Sequence, residues 1–272
     1  MYSINTAPVI PGVAMRRFWI WLMSIALLGG LFSCGGGDDG SHVASRPLGV
    51  AGEVEGIWNG NFHSNVTGRD TGMFAIVTAG GTFELITDDC AQISASITAN
   101  GPFFSGAGTS YTHTNCDGVD IVVVPPIPGA GTVQPVQISG QFDNRTGTAI
   151  ANYATVNDSG TIRFVNFYQD YLNDPGIVPR ATGSYSINQR LTGLTVDPSG
   201  NVAYRDATGQ IFAGTLFVLD PTVDIYGMTL QVGGQSLTGL ATLVDDGDGQ
   251  NSDFLFVVSN GVLAFNAELR RN

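Results

Sequence analysis

The chain has 272 residues, with 23 acidic against 11 basic residues and a formal net charge of −12 at pH 7. All of the basic residues are arginine, which excludes a lysine nucleophile, a lysine Schiff base and a phosphate-binding loop of the Walker type. So acidic a surface also argues against nucleic acid as a partner.

An apolar run near the N-terminus has the layout of a secretory signal. Arg16 and Arg17 precede a hydrophobic stretch over residues 18–28, and small residues follow it. From residue 18 to residue 32 the apolar run covers 15 residues, fewer than the roughly 20 that a membrane-spanning helix needs, so a retained helix is the less favoured alternative. Because residues 1–14 carry no charge, Met15 is an alternative start to Met1.

The apolar run ends in Leu31-Phe32-Ser33-Cys34, which resembles a bacterial lipobox. The resemblance implies that Cys34 is lipidated, becomes the first residue of the mature protein and anchors it to a membrane. Gly35 replaces the aspartate of enterobacterial inner-membrane lipoproteins, which implies the outer membrane, with the protein facing the periplasm or the cell surface. We assign residues 1–33 to the signal peptide and residues 34–54 to a lipidated, glycine-rich tether.

Two further cysteines, Cys90 and Cys116, remain as a pair. Export to an oxidising compartment makes a disulfide between them the expected state. A zinc site that also uses His63 and His113 is the alternative, disfavoured because Cys90 has no neighbouring cysteine. The disulfide is expected to tie down an exposed excursion around Cys116, since the prolines that follow it exclude a central strand.

Short β-branched and aromatic runs, separated by Gly, Asn and Asp, fill the chain from residue 55 onward. Ile93, Ala95 and Ile97 alternate with polar residues, as in a strand with one buried face. Asn100-Gly101 predicts a tight hairpin turn. The pattern predicts an all-β protein, either an antiparallel barrel or a sandwich.

The second half of this β-body repeats motifs of the first half in the same order. Gly56-Ile57-Trp58 is echoed by Gly183-Ser184-Tyr185, and the hairpin at Gly80-Gly81 by the one that ends at Gly200-Asn201. The further pairs are Phe104-Ser105-Gly106 with Phe212-Ala213-Gly214, 146–149 with 238–241, and Arg163-Phe164 with 254–258.

The offset between the paired motifs shrinks along the chain, which predicts one repeat with shorter loops in the second copy. We assign residues 55–180 to the first β-repeat, with its disulfide-tied excursion, and residues 181–272 to the second. Two tandem β units and one pseudo-symmetric barrel both agree with this pattern.

Gly56-Ile57-Trp58 resembles the Gly-x-Trp on the first strand of lipocalins. The resemblance implies a barrel in which Trp58 closes the floor and Arg270 or Arg271 stacks on it through a cation–π contact. The mature chain as a whole resembles uncharacterised proteobacterial outer-membrane lipoproteins with paired glycine–aromatic β-repeats, a likeness that implies no activity. Trp58 and Tyr185 are therefore either ligand-facing residues or core aromatics.

No group of residues in the sequence predicts catalysis. Only His42, His63 and His113 could serve a Ser-His-Asp site, and no Gly-x-Ser-x-Gly turn accompanies them. Most aspartates lie in predicted turns, where they bond the backbone. We expect no enzyme, and no cofactor beyond the lipid on Cys34.

An acidic loop over residues 245–253 is a calcium candidate through Asp246, Asp248 and Asp253. Asn251 and Val257 stand where an EF-hand needs Gly and Glu, so a solvated acidic loop is the favoured interpretation.

An aromatic segment formed by Phe164, Phe167, Tyr168 and Tyr171 has helical spacing. Asn-Asp-Pro-Gly at 173–176 ends it at once. We expect a strand that runs into an exposed aromatic loop, which is a candidate interaction surface.

Two functions remain open. The first is a lipid-anchored, non-catalytic module that binds a protein or another envelope component. The second is a lipocalin-like carrier that holds a small apolar ligand beneath Trp58. A carrier needs an interior cavity of a few hundred Å³, whereas a filled core favours the interaction module.

Overall fold

The computed structural model describes most of the chain that follows the predicted tether, and Leu48–Asn272 form one compact unit. The described residues are 50–89, 91–112, 132–143, 145–167, 176–186, 193–205, 209–244 and 253–272. They fold almost entirely as antiparallel strands, which confirms the all-β prediction.

Eight strands form a first closed barrel in which sequence neighbours are also sheet neighbours. They are β1 (Gly56–Ser64), β2 (Asp70–Val77), β3 (Thr82–Thr87), β4 (Gln92–Asn100), β5 (Phe103–Tyr111), β6 (Val133–Asp143), β7 (Thr148–Ala154) and β8 (Ser159–Phe167). The barrel closes where β1 pairs with β8, with Trp58 opposite Phe167.

Eight more strands form a second closed barrel of the same topology. They are β9 (Gly183–Ser186), β10 (Gly193–Val196), β11 (Asn201–Arg205), β12 (Ile211–Val218), β13 (Ile225–Val232), β14 (Gln235–Val244), β15 (Asp253–Ser259) and β16 (Ala264–Arg271). The barrel closes where β16 pairs with β9, with Arg271 opposite Tyr185. The repeat therefore forms two tandem barrels rather than one.

Each barrel begins with a short helical turn, and an aromatic side chain on the first strand donates an equivalent hydrogen bond to that turn. A 3-10 turn at Gly52–Val54 precedes β1, and helix α1 (Val178–Ala181) precedes β9. Trp58 Nε1 donates to the Val54 carbonyl at 2.9 Å, and the Tyr185 hydroxyl donates to the Ala181 carbonyl at 2.9 Å. Both acceptors lie four residues before the aromatic residue, so Trp58 and Tyr185 occupy equivalent positions.

A second equivalence lies at the turn between the second and third strands of each barrel. Gly81 and Gly200 have φ values of +85° and +82°, a region that favours glycine. Ile97 N–H donates to the Gly81 carbonyl at 2.8 Å, and Leu216 N–H donates to the Gly200 carbonyl at 2.7 Å. The hairpin match predicted from sequence is correct.

The later matches predicted from sequence are wrong by one strand. Phe104 lies on β5, the fifth strand of its barrel, whereas Phe212 lies on β12, the fourth strand of the other. The pairs that follow carry the same slip, because 148–149 begin β7 while 238–241 lie in β14, and Phe164 is on β8 while 254–258 lie in β15. All strands of a barrel share the same alternation of inward and outward residues. A short motif therefore matches the neighbouring strand of the other barrel as well as it matches the equivalent one.

Candidate interaction surfaces and the filled barrel interiors

The interior of the first barrel is filled by aromatic side chains that meet from opposite walls. Phe164 on β8 has its ring centre 6.3 Å from that of Phe83 on β3 and 6.3 Å from that of Phe104 on β5. Trp58 packs edge-on against the same ring at 5.8 Å. In the ring of eight strands β4 lies opposite β8, and β3 and β5 are the two neighbours of β4. The contacts of Phe164 with Phe83 and Phe104 therefore cross the lumen.

The second barrel is filled in the same way. Tyr204 on β11 lies 5.9 Å from Phe256 on β15, and these two strands are diametrically opposite in the ring of eight. Phe265 packs edge-on against Tyr204 at 5.5 Å and against Phe212 at 5.7 Å. An eight-stranded barrel is just wide enough for its own side chains to fill it or for one small ligand to sit inside. In both barrels the described side chains take that space.

Trp58 and Tyr185 are core aromatics in this structure. Both are 1% exposed, and each belongs to the hydrophobic cluster inside its barrel. The lipocalin-like expectation that a C-terminal arginine covers Trp58 is wrong, since Arg271 instead covers Tyr185, with 5.3 Å from its guanidinium carbon to the ring centre. Arg270 lies 3.8 Å from the buried Asp253 carboxylate.

The aromatic segment proposed as an interaction loop divides at the end of β8. Phe164 is fully buried inside the first barrel, so it belongs to the core and not to an exposed loop. Phe167 is the last residue of β8 and is described in its backbone only. Tyr168 and Tyr171 lie outside the described residues.

Several other predicted site residues also lie outside the described part of the chain: Cys34, Cys90, Cys116, Asp246 and Asp248. The lipid anchor, the disulfide and the calcium loop therefore stay predictions. Among the described residues, no group of three or more His, Cys, Asp or Glu side chains could hold a metal ion.

The outer face of the first barrel carries a row of small, uncharged polar side chains. The row crosses five paired strands through Thr98, Ser105, Ser139, Asn152 and Thr161. These side chains point outward because their neighbours in sequence point into the lumen. The row offers neutral hydrogen-bond donors and acceptors and no formal charge.

A shallow groove of about 480 Å³ follows this polar row. Ser96, Gln137 and Asn152 are among its lining residues. The exposed Phe103 ring lies on the same outer face, two residues before Ser105 on β5. A second groove, of about 320 Å³, lies on the outside of the second barrel beside Arg205.

The two barrels meet through an aliphatic joint. We use "the joint" for the contact between the outward side chains of β1, β2 and β3 and those of β13, β14 and β15, together with the polar contacts beside it. Its buried apolar residues are Ile57, Ile76, Val223, Ile225, Leu240, Val244, Leu255 and Val257. Burying a side chain of this size contributes about 1.5–3 kcal/mol, so the joint holds the barrels in contact.

Hydrogen bonds also cross the joint. Gln92, which is fully buried, donates from Nε2 to the Val258 carbonyl at 3.4 Å and accepts from Asn266 Nδ2 at 3.1 Å. The Gly261 N–H donates to the hydroxyl of Tyr111, also fully buried, at 2.9 Å. These bonds give the joint a defined register that aliphatic packing alone does not impose.

The joint holds a buried carboxyl group from the first barrel. Glu84 on β3 is 2% exposed, and its cross-strand neighbours are Ile76 and Ser94. Oε1 accepts a hydrogen bond from the Ser94 hydroxyl at 2.7 Å, whereas Oε2 has no hydrogen-bond partner among the described residues. Burial raises the pKa of the Glu84 carboxyl well above its usual range, and the Ser94 hydrogen bond lowers it by a smaller amount.

The joint was not predicted from the sequence, although the sequence carries a signal for it. Residues 254–258 are an unbroken apolar run, Phe-Leu-Phe-Val-Val, whereas most strands alternate. Such a run indicates a strand with both faces buried. Every residue of β15 is indeed buried, with Phe254 and Phe256 in the lumen and Leu255 and Val257 in the joint.

No model of a protein family, no curated protein and no solved structure matches this chain. Within the described residues, none of the helices has the length and apolar character needed to span a membrane.

Proposed function

We propose that the protein is a lipid-anchored, non-catalytic component of the cell envelope that works as an interaction module through the outer surfaces of its two barrels. The observation that carries the proposal is the contact of Phe164 with Phe83 and Phe104 across the first lumen. A ring in that position occupies the space in which a carrier would hold its ligand. The outer surfaces are therefore where partners bind.

Within this proposal, Cys34 carries the lipid and the glycine-rich residues that follow it connect the anchor to the first barrel. Two or more acyl chains give stable membrane attachment, whereas one chain gives only reversible binding. The outer membrane is the proposed location, since Gly35 replaces the aspartate that marks inner-membrane lipoproteins. The polar row and its groove on the first barrel are the proposed contact surface.

Fractionation of cells that produce the full-length protein tests the anchor. The wild-type protein should sediment with outer membranes and leave them only in detergent, while Cys34→Ser should be released in soluble form or retained as a precursor. A Cys34→Ser variant that is processed to the mature size and still sediments with the outer membrane would contradict the proposal.

Site-specific photo-crosslinking in cells tests the contact surface. A photoreactive residue at Ser139, in the polar row, should give a discrete crosslinked adduct. The same residue at Gln231, exposed on the outer face of the second barrel, is the matched control. Crosslinking that is absent at Ser139, or equal at both sites, would remove the polar row from the proposal and leave the anchor untouched.

A further inference from the structure

The carboxyl of Glu84 is buried in the joint in largely apolar surroundings. The outward side chains beside it on β3 and β2, Ile86 and Ile76, pack into the aliphatic cluster of the joint. Only one oxygen of the carboxyl has a hydrogen-bond partner among the described residues. A buried polar atom without a partner costs free energy, and an ionised carboxylate costs far more than a neutral acid.

We propose that the joint between the two barrels is proton-gated: it is closed while the Glu84 carboxyl is protonated, and it loosens when that carboxyl ionises. The inference rests on the packing of the joint and is independent of the lipid anchor. The joint therefore responds to the pH of the medium around the protein. When the joint loosens, its aliphatic surface becomes exposed.

The charged groups near Glu84 do not supply a compensating partner. On the strands around it, β2 carries Asp70, which contacts His63, and β4 carries no titratable residue. On the second barrel, Asp253 of β15 lies 3.8 Å from Arg270. Burial and the Asp224 carboxyl, just before β13, raise the pKa of Tyr226. The causes of the Glu84 shift are burial and the Ser94 hydrogen bond, with no cation among them.

The direction of the pH effect follows from the raised pKa. Below the ordinary glutamate value of 4.5, the carboxyl is protonated whether the joint is open or closed, and the joint has its full stability. Above that value, an open joint releases the proton while a closed joint retains it. Closing then becomes about tenfold less favourable with each pH unit, until the raised pKa of the closed form is reached.

Two buried tyrosines allow this opening to be distinguished from unfolding. Tyr111 is fully buried in the joint, and Tyr204 is fully buried inside the second barrel. Loosening of the joint exposes Tyr111 and leaves Tyr204 covered, whereas unfolding of the second barrel exposes both. The ratio therefore separates opening of the joint from unfolding of the second barrel, and Tyr153, buried inside the first barrel, reports unfolding of that barrel in the same experiment.

Hydroxyl-radical footprinting of the mature protein in detergent micelles measures this ratio. As the pH is raised, the oxidation of Tyr111 relative to Tyr204 should rise by up to about tenfold per pH unit in the wild type. Glu84→Gln keeps the shape of the side chain and removes its ionisation, so its ratio should stay flat. Glu268→Gln, the same change at an exposed glutamate on β16, should follow the wild type.

Three results would overturn the proposal: a flat ratio in the wild type, an equal rise in Glu84→Gln, or a parallel rise of Tyr111 and Tyr204. Glu84→Met is the second variant, because it replaces the carboxyl with an apolar side chain of similar length. It should also give a flat ratio, and a pH response like that of the wild type would count against Glu84 as the gate.

Discussion

The guanidinium carbon of Arg271 lies 5.3 Å from the centre of the Tyr185 ring, and Nη2 of the same residue donates a hydrogen bond to the Tyr185 hydroxyl at 2.8 Å. Nη2 also donates to the Arg180 carbonyl in helix α1. The last strand of the second barrel therefore fastens the first strand and the turn before it. In the first barrel Phe167 lies opposite Trp58, at the position that Arg271 holds opposite Tyr185 in the second barrel. A cation therefore stands at this position in the second barrel and an aromatic residue in the first.

Arg271→Ala should lower the free energy of unfolding by roughly 1–2 kcal/mol, because it removes the cation–π contact and the hydrogen bonds of Nη2. Denaturant titration followed by tyrosine and tryptophan fluorescence measures the loss. Arg145→Ala is the control, since the Arg145 side chain is 93% exposed in its ion pair with Asp143. That variant should match the wild type, and equal losses in both variants would contradict the role of Arg271.

The two equivalent turn glycines should both resist substitution. A Cβ at Gly81 would lie 2.3 Å from the Ile97 carbonyl oxygen, and one at Gly200 would lie 2.3 Å from the Leu216 carbonyl oxygen. Alanine at either position should therefore cost roughly 2–4 kcal/mol, from the clash and the positive φ together. Thermal unfolding of each variant measures the cost.

Gly101→Ala separates these two causes. Gly101 also has a positive φ, of +62°, but a Cβ there would meet nothing within 4 Å. Its substitution should cost only about 1–2 kcal/mol, the penalty of the left-handed backbone alone. A loss at Gly101 as large as those at Gly81 and Gly200 would show that the close approach does not matter.

The parts of this fold that depend on a few adjacent residues could be predicted from the sequence. Alternation at Ile93, Ala95 and Ile97 predicted a strand, and Asn100-Gly101 predicted its hairpin turn, because side-chain period and positive φ are properties of a few adjacent residues. The equivalence of Trp58 with Tyr185 also followed, since both open a repeat. Eight-stranded closure depends on pairing between strands far apart in sequence, so the sequence alone left barrel and sandwich open.

The candidate sites were harder to predict. Phe164 belongs to a segment of helical spacing that was expected to run from a strand into an exposed aromatic loop. It lies inside a lumen instead, because the strand continues to Phe167. Glu84 alternates with Phe83 and Leu85 and therefore reads as a solvent-facing residue. Its burial comes from the second barrel, which no pattern within β3 can show.

Phe164→Ala tests whether the first barrel is filled by its own side chains. Removing this ring should cost roughly 3–5 kcal/mol and leave an apolar cavity. Such a cavity should bind a small apolar probe such as benzene, detected as a rise in melting temperature with added benzene. The wild type should show no rise, and a wild type that responds like the variant would mean that a ligand space already exists.

Phe103→Ala is the control for this test, because its ring is 58% exposed on the outer face of the same barrel. It should lose little stability and should not gain a response to benzene. Binding of the probe to this variant would show that the response does not report on the lumen.

The predicted pair of Cys90 and Cys116 should be oxidised in the folded protein. A thiol reagent added without reductant should leave both residues unmodified, and reduction should lower the free energy of unfolding by roughly 3–4 kcal/mol in the chain-entropy estimate. Peptide mapping before and after reduction identifies the linked fragments. Modification of both cysteines in the folded, unreduced protein would exclude the disulfide.

Intact mass spectrometry under native conditions, on the protein purified from native membranes, tests the lipid anchor and the filled barrels together. We predict a mature chain that begins at Cys34 and carries a diacylglyceryl group and an N-acyl chain, with no small molecule co-purifying in a barrel. An unmodified Cys34 would contradict the lipid anchor, and a stoichiometric apolar ligand retained under native conditions would contradict the filled barrels.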